Sequence, residues 1–245
     1  MTKDKNETID KMFKVGAHFG LTKARRHPTA KPFVFGVKNK IEIIDLEKTD
    51  VALTKAVDFV KSIAASGRIV LFASSKSEAL PAVRLAGAKT GCPFVAGRWI
   101  GGTITNYTEI KKRIEKLETR LREREKGELA KYTKKERLLI DREIEKLDRF
   151  FAGLVPLKEK PAALIVVDSK REHNAVAEAR QAKIPVIAIN STDCDLSQVN
   201  YPIPANDASA ASIAFFLEEL ATAYSASKVA RPARPEPRPE SRERR

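Results

Sequence analysis

ALIVVDSKREHNAVAEARQAKIPVIAIN, residues 163–190, decides the fold. Its two apolar runs, 162–169 and 185–190, are continuous rather than alternating, which is how strands read when both faces of a parallel sheet are covered. Between them Arg171 to Ala182 carries helical spacing, and a helix joining two such strands makes a βαβ unit. The same grammar appears upstream: IVLFAS at 69–74 is followed by a helix from Lys76 to Lys89 and the short strand PFVA at 93–96. A helix from about Lys48 to Ala64, with Val51, Ala52, Ala56, Phe59, Val60 and Ile63 recurring at three and four, stands before that unit. Another, from about Asn206 to Ser225, closes the pattern. Ahead of all of them FVFGVKNKIEIID, 33–45, reads as a hairpin turning at Lys38, Asn39 and Lys40. The expected fold class is α/β, a three-layer Rossmann-like parallel sheet.

Residues 106–151 break this grammar. They hold almost no strand signal, yet Ile110, Ile114, Leu117 and Leu121, and after Gly127 Ile140, Ile144, Leu147 and Phe151, are spaced as a heptad seam. Thr133 with Glu136 is a capping-box pattern opening the second helix. The expected insertion is an antiparallel coiled-coil hairpin that projects from the sheet and is separable from its core. The domain boundaries that follow are a discontinuous α/β unit, 1–105 with 152–225, the hairpin 106–151, and a tail 226–245. In the last 18 residues, KVARPARPEPRPESRERR, four prolines and ten charges leave too little apolar surface to order the chain, so a disordered basic tail is expected.

The 245 residues are 42% hydrophobic and 32% charged, which suits a packed core, and no apolar run is long enough to span a bilayer. The start, MTKDKNETIDKMFK, lacks a secretory h-region, and Cys92 and Cys194 form no close ligand pair, so a cytoplasmic chain with free thiols and no membrane is expected. The net charge is +14, and its location is informative. Segments 1–41, 106–151 and 226–245 contribute +7, +4 and +4, while the remaining residues sum to −1. A near-neutral core with basic extensions is what a chain lying along phosphates would carry.

Chemistry of other kinds is thinly represented. In IVLFASSKSEA and LIVVDSKREH a buried strand meets Ser-Lys at a helix start, so Ser75 and Ser169 read either as anion-binding helix starts or as plain N-caps. GRWIGGT, 97–103, matches neither dinucleotide-binding nor Walker-type spacing. His18, His27 and His173 have no triad or metal spacing, and Asp168 is a lone carboxylate at a strand end. Weak candidates for a cation site are His18, Asp193, Asp195 and Asp207, provided their loops converge. Trp99 is read as packed in the core, with base stacking as the alternative, and both cysteines as small buried residues. The basic constellations are richer: Lys23, Arg25, Arg26 and Lys31 lie on an irregular strip before the first hairpin, Arg98 precedes a Gly-Gly pair, and Lys111, Lys112 and Arg113 sit at the root of the insertion. A nucleotide- or phosphosugar-binding enzyme and a protein-only coiled-coil adaptor are the competing readings.

VGAHFG (15–20), KPFVFGVKNKIEIIDLEKT (31–49), GRWIGGTITN (97–106), ALIVVDSKREHNAVAEA (163–179), IPVIAINSTDCD (184–195) and VNYPIPAND (199–207) together resemble the bacterial small-subunit ribosomal protein S2 family, over about residues 8–224. The resemblance implies a flavodoxin-like or Rossmann-like sheet without catalytic function or cofactor. It also implies a structural component of the 30S subunit that binds 16S ribosomal RNA and neighbouring small-subunit proteins, supports translation, is not a homo-oligomer and helps to dock ribosomal protein S1. The RNA contacts it implies are Lys23, Arg25, Arg26, Lys31, Arg98, Thr105, Asn106, Lys111, Lys112 and Arg113. Leu21 and Arg26-His27-Pro28-Thr29 depart from the family's usual residues in that strip, as does Asn206-Asp207-Ala208 near the chain's end.

Overall fold

In the computed structural model residues 2–228 are described, with the side chains of 2–6, 130 and 131 set aside. Helix α1 (Thr2–Lys14) leads into strand β1 (Phe19–Thr22), then β2 (Val34–Lys38) and β3 (Ile41–Ile44). The last two form the expected hairpin, with Asn39 and Lys40 at φ 51° and 65°, the two left-handed positions of a tight turn. Strand β1 pairs antiparallel with β3, so a three-stranded sheet of order β1-β3-β2 stands where a two-stranded hairpin was expected. Short, exposed and only half apolar, FGLT carries little strand signal of its own. Its pairing is set by β3.

Helix α2 (Leu46–Ala65) begins at Asp45, whose carboxylate accepts from the backbone N–H of Glu47 and Lys48 at 3.1 and 3.4 Å. The parallel sheet follows: β4 (Val70–Ser74), α3 (Leu80–Thr90), β5 (Phe94–Ala96), β6 (Ala163–Val167), α6 (His173–Gln181), β7 (Val186–Asn190), β8 (Tyr201–Pro204) and α7 (Ala210–Ser227), with α4 (Tyr107–Glu125) and α5 (Lys134–Phe151) inserted after β5. The strand order is β5-β4-β6-β7-β8, and every neighbouring pair is parallel. The expected sheet therefore holds, with one strand more. The added strand, YPIP, carries prolines that lack N–H donors, and at the sheet edge that loss is tolerated. Helix α7 runs two residues past 225, and the expected disordered tail from 229 lies outside the described residues.

Alternation divides the strands between two layers of core. Phe72, Ile165, Val167, Ile187, Ile189 and Ile203 pack with Leu53 and Val60 of α2, Val83 of α3 and Phe216, Leu217 and Leu220 of α7. On the other face Leu71, Ala73, Leu164, Val166, Val186 and Ala188 pack with Ala175, Val176 and Ala179 of α6, with Trp99, and with Ile110, Ile114, Leu117, Ile144, Leu147 and Phe151 of the inserted helices. The insertion is tied to the sheet at its base. Helices α4 and α5 do pack on each other, and Thr133 with Glu136 closes the capping box, but the inner half of their seam belongs to the sheet's own core. Heptad spacing specifies that a helix has an apolar stripe without specifying what covers it.

Phe94 of β5 is held between two glycines. A Cβ on Gly153 would stand 2.3 Å from the Phe94 carbonyl oxygen, and one on Gly87 2.3 Å from the Phe94 ring. The obstacle at Gly153 is backbone, which cannot swing aside. Gly153→Ala should therefore cost about 1–3 kcal/mol in denaturant unfolding of the full chain; an unchanged midpoint would contradict so close an approach.

Candidate nucleic-acid interface

Ligands of open α/β sheets bind beyond the carboxyl ends of the strands, at the point where strand order reverses. Here that point lies between β4 and β6, and side chains of the protein itself fill it. The backbone N–H and hydroxyl of Ser75 both donate to the Glu172 carboxylate, so an internal anion takes the place a phosphate would have. Ser169 donates its N–H to Asn190 Oδ1 at 2.9 Å, while Asp168, not Ser169, accepts from Arg171 N at 3.0 Å at the turn before α6. Neither serine caps a helix by its side chain, and the backbone N–H that each would turn toward a nucleotide is already donated inside the protein.

Lys76 closes the same crevice. Its ammonium lies 3.3 Å from Asp168 Oδ2 and 3.0 Å from Asp207 Oδ1. Burial pushes the Asp207 carboxyl up to about 6 in spite of the neighbouring lysine. Asp168, Cys194 and Asp207 place one ligand atom each within 4.8 Å of one another, the only such group of three among the described residues. The set does not suit a metal ion, since the lysine already bridges both carboxylates and burial raises the Cys194 pKa, favouring the neutral thiol. The four cation candidates are not gathered. His18 stacks against Phe13 and lies tilted on Phe19, Asp193 pairs with Lys170 at 3.0 Å, Asp195 accepts from Ser197 and Gln198, and Asp207 faces Lys76. Spacing along the chain gave no sign that Lys76 would stand among these loops.

The basic residues fall into two groups on the carboxyl-end side of the sheet. Lys23 and Arg25 lie exposed on a 3-10 turn over Lys23–Arg25, and Lys31 is exposed on a second over Pro28–Phe33. This strip is fastened to the loop after β7: His27 N donates to Thr192 O at 2.8 Å and Leu196 N to Thr29 Oγ1 at 3.0 Å. Arg26 differs from its neighbours. Its guanidinium is 2.9 Å from Glu42, a fully buried carboxylate on β3, so it braces the antiparallel sheet.

The second group follows β5, about 14 Å away if three strand spacings separate it from β7. Arg98, Thr105, Asn106, Lys111, Lys112 and Arg113 are all exposed. Within α4, Lys111 pairs with Glu115 at 3.6 Å and Lys112 with Glu109 at 2.6 Å. Trp99 is buried, as the core reading expected, and its Nε1 donates to Glu178 Oε1 at 2.9 Å. The Glu178 carboxylate also accepts the N–H groups of Gly102, Ile104 and Thr105 at 2.8, 3.1 and 3.2 Å, and the Thr105 hydroxyl at 3.2 Å. Burial would push this carboxyl up, but these donors outweigh it and hold it below its ordinary range. One acidic residue of α6 thus shapes the loop between Arg98 and Asn106. Sequence reading passed over it, because a glutamate on a helix face looks like any solvated one.

Residues 12–227 match the model of a family described as ribosomal protein S2. A small ribosomal subunit protein uS2 of Bdellovibrio bacteriovorus is 42% identical over 89% of this chain and 69% of its own length. The proteins of the same name from Nitratiruptor sp. and Acidothermus cellulolyticus are 40% and 39% identical, over 91% and 95% of this chain and 84% and 87% of their own lengths.

Proposed function

Because the chain belongs to the ribosomal protein S2 family, we propose that it is a structural, non-enzymatic component of the small ribosomal subunit in the cytoplasm, where it binds 16S ribosomal RNA and neighbouring subunit proteins. The observation that carries this is the pairing of a filled switch point with exposed basic groups on the same side of the sheet. The crevice where an enzyme of this architecture would hold a nucleotide is spent on the internal contacts of Lys76, Ser75 and Glu172. Lys23, Arg25, Lys31, Arg98, Lys111, Lys112 and Arg113 stay exposed around it. They serve as phosphate contacts, with Thr105 and Asn106 beside them and Arg26 acting mainly through Glu42.

Helices α4 and α5 form a coiled-coil arm whose root is anchored in the core and whose outer half, with Leu138 and Leu139 exposed, reaches other parts of the particle. Phe13, Phe19, Phe35 and Val37, all large and exposed around the β1-β3-β2 sheet, suit a protein neighbour better than a phosphate chain. To that face we assign the docking of ribosomal protein S1.

Sedimentation of a lysate tests the reading. The chain should co-migrate with 30S particles and survive a wash at moderate salt. Its affinity for 16S RNA, prefolded with other subunit proteins, should fall with salt by a log–log slope of about −0.7 to −0.9 per phosphate contacted. A chain that stays in the soluble fraction, or a slope near zero, would sink the proposal.

A further inference from the structure

We infer that Arg84, Arg98 and Arg149 line one cleft that takes the phosphates of a ribosomal RNA strand, a site distinct from the Lys23–Lys31 strip and resting on the RNA-binding reading above. The cleft, about 530 Å3, lies along the free side of β5, the sheet's edge strand, between α3 and the end of α5. Each arginine comes from a different element: Arg84 from α3, Arg98 from the loop that Glu178 holds, and Arg149 from the last turn of α5. All three are exposed.

Three guanidiniums lining one space repel one another unless an anion sits among them. The protein supplies little of that anion. Asp148 is the only carboxylate in the lining, and the arginine ion pairs among the described residues belong to Arg26 and Arg120, not to these three. Elsewhere the chain neutralises its basic residues freely, as at Lys111, Lys112 and Lys116 on α4. The guanidinium is a planar fork matched to phosphate oxygens, and three of them from separate elements can grip a bent chain of phosphates that a single helix face cannot.

The choice of RNA over an acidic protein segment comes from continuity. The Arg149 guanidinium lies 5.7 Å from the centre of the Phe150 ring, and Phe150 also lines the adjoining cleft, whose charged residues are Arg113, Arg142, Lys146 and the single acid Glu143. A basic track therefore runs from Arg84 past a half-buried aromatic ring to the root of α4, one of the segments already assigned to RNA. Basic side chains interleaved with a ring are the pattern used to follow a nucleic-acid strand.

The test compares the full chain with R84Q/R149Q and with K61Q/K89Q, which removes the same charge from helix surfaces outside the cleft. Each is titrated by filter binding, across a salt series, against 16S RNA assembled with small-subunit proteins other than this one. Far-UV circular dichroism should match for all three, and the control should melt close to the unsubstituted chain, because its Lys61 and Lys89 make only exposed surface pairs, which contribute little. R84Q/R149Q is expected to bind about tenfold more weakly at 0.1 M salt, with the slope reduced by about 1.4–1.8 for two lost phosphate contacts. K61Q/K89Q should keep both. Unchanged affinity and slope for R84Q/R149Q in a chain that binds RNA normally would overturn the cleft alone, whereas failure of the unsubstituted chain to bind would overturn the RNA reading and the cleft with it. Loss of retention on 30S particles with RNA affinity intact would make the cleft a protein interface and overturn the inference equally.

Discussion

Replacing residues 107–150 by a short Gly-Ser turn should abolish cooperative folding, while replacing only 123–138 should shift stability by no more than about 1 kcal/mol. The difference lies in what the two cuts uncover. The longer one removes Ile110, Ile114, Leu117, Ile144 and Leu147, all at most 7% exposed and all in the cluster that covers Leu71, Val95, Leu164 and Val166. Full burial of such a side chain stabilises by about 1.5–3 kcal/mol, and although part of that is helix against helix, the sheet face left open is large. Although α6 and Trp99 stay on that face, a domain with about 5–15 kcal/mol in hand does not survive the loss of five buried side chains from the same cluster at once. The shorter cut keeps the Lys116 to Glu143 pair and takes away only the outer end, where Leu129, the one buried apolar side chain among the described residues there, belongs to neither main cluster. Circular dichroism melting of both trimmed chains decides it. A well-folded 107–150 deletion would show that the sheet does not need the pair.

The sheet was legible because a buried parallel strand is written in one kind of residue. IVLFAS and ALIVV admit almost no other reading, and their helices declare themselves by spacing. Elements whose structure is imposed by a partner were not legible. FGLT becomes a strand because β3 pairs with it, YPIP because it lies on an edge, and α1, mostly polar, is held because its Met12 reaches the core. The basic residues of the candidate interface were legible by the same logic in reverse: an exposed lysine or arginine needs no partner to be recognised. What composition could not give was which basic groups are already used. Arg26 and Lys76 look equivalent to Arg25 and Lys31 in the sequence. Yet Arg26 meets the buried carboxylate of Glu42, and Lys76 lies between two carboxylates from loops 92 and 131 positions away. Long-range pairs of this kind leave no local pattern.

Glu178→Ala should cost about 3 kcal/mol and should weaken RNA binding even in chains that remain folded. The carboxylate is the shared acceptor for the Trp99 indole, three backbone N–H groups and the Thr105 hydroxyl. Alanine leaves these donors without it, at about 1–3 kcal/mol for any that water does not reach. Glu178→Gln retains one acceptor oxygen but turns an NH2 group toward donors, so about half that cost is expected. Acid supplies an independent readout. Since the native carboxyl titrates below its ordinary value, its contribution is complete at neutral pH and is lost as the pH falls through that lowered value, where the protonated group can no longer accept the whole set. The difference in stability between the wild type and Glu178→Gln should therefore shrink on acidification and change little between pH 6 and 8. The loop carries Arg98 at one end and Thr105 and Asn106 at the other, so releasing it raises the entropy that binding must remove. A Glu178→Gln chain that melts lower yet binds 16S RNA with wild-type affinity would mean that the loop is shaped for the core alone; one that loses affinity in step with the Arg98→Gln variant would place Glu178 behind the interface as its positioning residue.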